Sequence, residues 1–158
     1  MRDFIGNEWD VECLGCDINN GKVIVPGGLI FKSTNFVVHQ DPLIPLPGFL
    51  VIASGRHYQS LYEMRDDEYR EFSILVRKIH TAIKEVTKIS RFTLVQEEDS
   101  VHFHLWFFPW TDSVVKHYGK PSLTKIREIM SDLRKNPIAQ AEWSIIESQI
   151  ARIRSIVN

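Results

Sequence analysis

The 158 residues are 44% hydrophobic and 25% charged, the balance of one globular domain able to bury a core. A formal charge of −1 leaves no basic excess to neutralise phosphates, which argues against a nucleic-acid partner. No apolar run reaches the length of a membrane span, and MRDFIGNEWD lacks a signal-peptide core, so a cytoplasmic protein without a membrane partner is expected.

The first ten residues read as a lead-in to Cys13-Leu14-Gly15-Cys16, which holds both cysteines of the chain. In a reducing compartment such a pair is a metal half-site or a redox pair rather than a structural disulfide. Asn19-Asn20-Gly21 marks a turn. Val23-Ile24-Val25 and Leu29-Ile30-Phe31 are short strand candidates split by Gly27-Gly28, and Phe36-Val37-Val38 is another. Asp41 to Gly48 carries three of the seven prolines and predicts an ordered loop. Leu50 to Ala53 resumes the sheet.

Asp66 to about Val86 predicts a helix. Tyr69, Phe72, Val76, Ile79, Ile83 and Val86 recur at helical spacing, and Asp66, Asp67 and Glu68 favour its start. Arg91 to Glu97 alternates as a strand does, and Val101 to Phe108 is a strand apolar on both faces. Beyond Pro109, Ser122 to about Leu133 and Ile138 to Val157 predict two helices separated by Lys135-Asn136-Pro137. The second carries Trp143, Ile146, Ile150, Ile153 and Val157 on one stripe. Strands joined by short turns around one long helix point to an α+β domain on an antiparallel sheet, with a C-terminal helical extension.

The chemistry-bearing stretch is HFHLWFFP, residues 102–109. On a strand His102, His104, Trp106 and Phe108 share one side, with neighbours roughly 6.5–7 Å apart. That is too far for the imidazoles to bond each other, but it lets them serve two adjacent sites. Both could equally be buried structural histidines with satisfied partners. Cys13, Cys16 and the histidine of Arg56-His57 add the donors for a tetrahedral zinc, although the intervals are far longer than in a zinc finger. A redox role for the cysteines lacks the alternating parallel strands and helices of a thioredoxin.

Taken in order, Cys13-Leu-Gly-Cys16, Gly48-Phe-Leu-Val-Ile-Ala-Ser-Gly-Arg-His57 and His102-Phe-His104-Leu-Trp106-Phe-Phe-Pro109 resemble the histidine-triad (HIT) superfamily. Its signature is three histidines alternating with apolar residues, often followed by proline. The resemblance spans about residues 11 to 110 and implies an antiparallel sheet of about five strands with one long helix packed on it. It divides the chain into a HIT-like domain over 1–110 and an extension over 111–158 packed on the same domain.

By this resemblance the middle histidine, His104, is the nucleophile that attacks an α-phosphate and forms a nucleotidyl-histidine. A neutral imidazole suits that role. Zinc-containing members, including galactose-phosphate uridylyltransferases, hold metal through residues matching Cys13, Cys16, His57 and His102, which implies one structural zinc per chain. Asp41 falls where relatives contact ribose, although a loop aspartate beside Pro42 also supports turns. Leu14 and Ile18 would flank the base, and Ser100 the leaving group, after an acidic Glu97-Glu98-Asp99 loop. A homodimer is expected by the same analogy.

The main departure is Trp106, where the family has His or Gln. Indole offers one N–H and no acceptor, so it can donate to phosphate but cannot act as an acid. His117 is a candidate helper, or a solvated loop residue. The expected function is thus a nucleotide hydrolase or nucleotidyl transferase. The alternatives are a nucleotide-binding HIT-like module with weak or no catalysis, and a zinc-stabilised interaction protein.

Overall fold

A computed structural model describes residues 1–135 and 140–158. Its centre is a five-stranded antiparallel sheet of β1 (Phe31–Lys32), β2 (Phe36–Gln40), β3 (Leu50–Ser54), β4 (Phe92–Val95) and β5 (His104–Pro109), in the order β1-β2-β3-β5-β4. The helices are α1 (Leu14–Asn19), α2 (Asp66–Thr87), α3 (Asp112–Tyr118), α4 (Leu123–Lys135) and α5 (Gln140–Val157). This is the expected α+β architecture.

Side-chain alternation divides the sheet into two faces. Phe36, Val38, Leu50, Ile52, Leu105 and Phe107 join the apolar stripe of α2 in the main core. The α2 stripe is Phe72, Leu75, Ile79, Ala82, Ile83 and Val86, with Val76 at its border. Tyr69, expected on it, is 56% exposed, because the first turn instead directs Glu68 inward to meet Arg56. α5 closes the same core with Ile146, Ile150, Ile153 and Val157, as its spacing predicts. Each such aliphatic burial is worth roughly 2 kcal/mol.

The other face carries Val37, His39, Val51, Ala53, His104 and Trp106. Two smaller clusters cover it. Ile18 of α1 packs with Val23, Val25, Val37 and Ala53. Ile126, Ile129 and Met130 of α4 pack with Ile44, Leu46, Phe49, Phe108 and Trp110. The seam between these clusters is where the candidate site lies.

Several local expectations change. Val23 to Val25 is not a strand: Val23 N–H donates to Asp17 O, and Gly28 N–H to Val25 O. Gly27 and Gly28 take φ of 77° and 73°, the left-handed region that glycine tolerates. Arg154 of α5 then donates to the carbonyls of Gly27 and Leu29, so pairing begins only at Ile30 and β1 is short. β5 starts at His104 rather than Val101, because the His102 carbonyl is taken by side chains. α1 and α3 were not expected; α3 places His117 in a helical last turn. The start of the last helix near Ile138 lies outside the described residues.

Candidate active site and metal centre

α1 begins at its N-cap, Cys13, whose Sγ accepts the Cys16 N–H at 3.5 Å, so both sulfurs emerge at one helix end. His57 follows β3, and His102 precedes β5 by two residues. The Nδ1 of His57 lies 3.5 and 3.2 Å from the sulfurs of Cys13 and Cys16; that of His102 lies 3.4 and 3.5 Å away. All four donor atoms sit within 4.8 Å of one another.

These distances test the metal. With Zn–S of about 2.3 Å and Zn–N of about 2.0 Å, a tetrahedral site has S···N edges of roughly 3.5 Å. The four measured edges match. Without a cation, burial and the Cys13 side chain push the Cys16 thiol up to about 11, so two thiolates at one point require a metal's charge. Cys13, Cys16, His57 and His102 form the site of one structural zinc, since four protein ligands leave no position for water.

Neighbouring groups aim the ligands. His102, 4% exposed, places Nε2 2.7 Å from the Ser54 carbonyl. A carbonyl only accepts, so Nε2 carries the proton and the Nδ1 lone pair faces the sulfurs. Gly15 lies against that ring: a Cβ there would fall 2.5 Å from its Cγ and Cδ2. The glycine in Cys-Leu-Gly-Cys is therefore a packing requirement. Arg56 steadies the His57 segment through Nε and Nη2 bonds of 3.1 and 2.9 Å to Glu68, which is 1% exposed. This pairing holds the Glu68 carboxyl below its ordinary range.

His102 also reaches the second candidate role. Its carbonyl oxygen accepts from His104 Nδ1 at 3.0 Å, which fixes the proton on Nδ1 and leaves the Nε2 lone pair. Burial lowers the His104 pKa and keeps the ring neutral. The same oxygen accepts from Ser100 Oγ at 3.0 Å. His104 lines a cleft of about 290 Å³ at the seam described above.

Every residue singled out for the nucleotide also lines this cleft: Leu14, Ile18, Asp41, Ser100 and Trp106. Asp41 is buried, and one of its oxygens accepts the N–H groups of Leu43 and Ile44 at 2.8 and 2.9 Å. It therefore does support a turn. Burial raises its carboxyl to about 6 despite those bonds. Trp106 packs edge-on against Phe49 and beside the His104 ring, at 5.9 and 5.2 Å between centroids. None of Glu97, Glu98 and Asp99 lines the cleft; Glu97 pairs with Arg127 at 2.7 and 2.9 Å, and Glu98 accepts from Ser60 at 2.5 Å. His117 is exposed against Tyr118 and does not line the cleft.

Three polar side chains of the cleft had no place in the sequence reading. His39 stands two residues before Asp41 on β2, so alternation alone puts it on the same face. Its Nδ1–H donates to Gln40 O at 2.7 Å, and burial lowers its pKa to about 4. A neutral ring results, with Nε2 as an acceptor. Arg127 and Arg134, at positions i and i+7 of α4, complete the wall opposite α1. Nothing in their spacing signals this before α4 is docked.

No protein-family model matches the chain. An uncharacterised HIT-like protein of Methanocaldococcus jannaschii is 23% identical over 130 residues, covering 77% of this chain and 98% of the relative. A hypothetical histidine triad nucleotide-binding protein of Sulfolobus tokodaii shares the fold with a TM-score of 0.64 and 16% identity, over 92% of this chain and 91% of the other. A zinc-bound histidine triad family protein of Mycobacterium smegmatis does so with a TM-score of 0.60 and 16% identity, over 91% and 96%. The likeness to uridylyltransferases rests on the ligand set alone. The relative matched along nearly its whole length and the two solved structures make this chain similar to histidine-triad proteins and give it their fold, with Cys-x-x-Cys, Arg-His and His-x-His elements in order along the sequence.

Proposed function

We propose that the protein is a nucleotide hydrolase or nucleotidyl transferase that acts at an α-phosphate through His104. The observation that carries this reading is the His104 Nδ1–His102 carbonyl bond, which leaves Nε2 as a lone-pair nucleophile in a cleft. Nε2 attacks the α-phosphorus, a P–N bond forms, and the bond to the leaving group breaks with its electron pair. Water or an acceptor hydroxyl then attacks phosphorus, breaks the P–N bond and restores the imidazole. The leaving group takes its proton from solvent, because Trp106 can donate a hydrogen bond to a phosphoryl oxygen but no proton.

Around that centre Asp41 has its second carboxylate oxygen for a ribose hydroxyl, with Leu14 and Ile18 as apolar walls for the base. His39 Nε2 adds one acceptor there. Ser100 stands on the leaving-group side, its one hydroxyl hydrogen shared between the carbonyl oxygens of His102 and Glu97, each 3.0 Å from Oγ. The zinc takes no step; it holds α1 and the His102 backbone in register. Homodimerisation through the sheet edge and α2 belongs to the same reading, although α5 already lies along α2; light scattering decides it.

Trp106 favours a second reading, a nucleotide-binding module with little turnover. One experiment separates the two. Wild type is quenched during incubation with a panel of α-phosphate-labelled nucleotides, and the labelled histidine is mapped. Label on His104, and a loss of turnover of roughly 10⁴-fold or more in His104→Ala, is expected. Tight binding without label or turnover selects the module, and retained turnover in His104→Ala sinks the nucleophile assignment.

A further inference from the structure

The charge inventory of the cleft is lopsided. His102 is committed to the metal site, and Trp106 offers one N–H. The permanent positive charges lining the cleft among the described residues are Arg127 and Arg134, both from α4. Among the described cleft residues, a phosphate chain at His104 therefore meets its countercharge on α4.

The geometry suits such a ligand. Arg127 and Arg134 are two helical turns apart, so they sit on one face of α4 about 10 Å from each other along the axis. A second cavity of about 270 Å³ adjoins the first, sharing Arg127, Met130 and Arg134, and adds Ser131 and Lys135. The cationic wall thus extends along α4 to Lys135. Arg127 is also positioned: both Glu97 oxygens lie on its Nη2, at 2.7 and 2.9 Å, and among the described residues its other N–H groups have no partner. Arg134 forms no ion pair among the described residues.

We propose that α4 forms an anion-binding wall, in which Arg127 and Arg134 hold the phosphate chain of a nucleotide bearing two or more phosphates. The wall supplies the charged phosphate contacts that the single neutral N–H of Trp106 cannot. This rests on reading His104 as the nucleophile toward a nucleotide phosphate, and it names the substrate class as a polyphosphorylated nucleotide rather than a lone phosphoramidate.

The test is calorimetric binding to the full-length zinc protein, using AMP, GMP, CMP and UMP, the matching triphosphates and inorganic tripolyphosphate. Wild type is expected to prefer a triphosphate over its monophosphate by about tenfold or more, the worth of one or two charge-assisted bonds. Arg127→Gln/Arg134→Gln should bring that ratio close to one, and the double lysine variant should keep part of it. Circular dichroism and zinc content check that each variant is folded. No preference in wild type, or an unchanged ratio in the glutamine variant, overturns the wall. Arginine-dependent tripolyphosphate binding with no nucleotide binding keeps the wall and sinks the nucleotide reading. His104 labelling by nucleotides without any phosphate-number preference does the reverse.

Discussion

The cleft has two walls built on different physics. The α1 wall is a helix of six residues, too short to hold itself, and is fixed at Cys13 and Cys16 by four donor atoms from three separate segments. The α4 wall is thirteen residues long and is fixed by apolar burial of Ile126, Ile129 and Met130, with one exposed ion pair at its cleft edge. The first wall orients His104 through the His102 backbone, and the second brings two arginines to the cleft. Rigidity is concentrated where orientation matters, and solvated side chains are placed where ligand charge is met.

The largest effect should come from breaking the first wall. Cys16→Ser, or chelation of wild type, is expected to remove about one zinc per chain and to cost several kcal/mol in urea unfolding. A variant that keeps its metal and midpoint would show that α1 stands without it. The corresponding break in the second wall is Ile129→Ala, which leaves a cavity in a fully buried position and should cost about 3 kcal/mol. Zinc content should not change. A fall in zinc would mean that the two walls are one cooperative unit.

A smaller effect sharpens the comparison at His57, the exposed ligand of the first wall. Glu68→Gln weakens the bond to Arg56, whose side chain is 43% exposed, so the loss should be about 1 kcal/mol. The Glu68 carboxyl is depressed in the folded state, so its contribution is present above the ordinary glutamate range near ~4.3. It is lost as pH falls through the lower folded value. The gap between wild type and variant in urea midpoints should therefore close on acidification below about pH 4; a gap that persists there contradicts the pairing.

Periodicity carried most of the fold. The 22-residue α2 and 18-residue α5 show several turns of stripe, and β2, β3 and β5 are apolar runs between turn signals. α1 and α3, at six and seven residues, complete fewer than two turns and leave no period to read. Val23 to Val25 has the composition of a strand, but its backbone partners are an α1 carbonyl and a glycine turn, choices that depend on where α5 docks. At the site, residues that share a short motif were legible. Gly15, His39, Arg127 and Arg134 were not, because each acts through a neighbour distant in sequence. Phe108 was expected on the row with His104 and Trp106, and it is, though sealed beneath α4.

One oxygen atom links the metal site to His104. The His102 carbonyl receives both Ser100 and His104, while the side chain of the same residue is a zinc ligand. Under the proposed function, a metal-depleted preparation is therefore expected to score as inactive although His104 is still on the polypeptide. Specific activity expressed per zinc, not per milligram of protein, is the quantity that should stay constant from one preparation to the next.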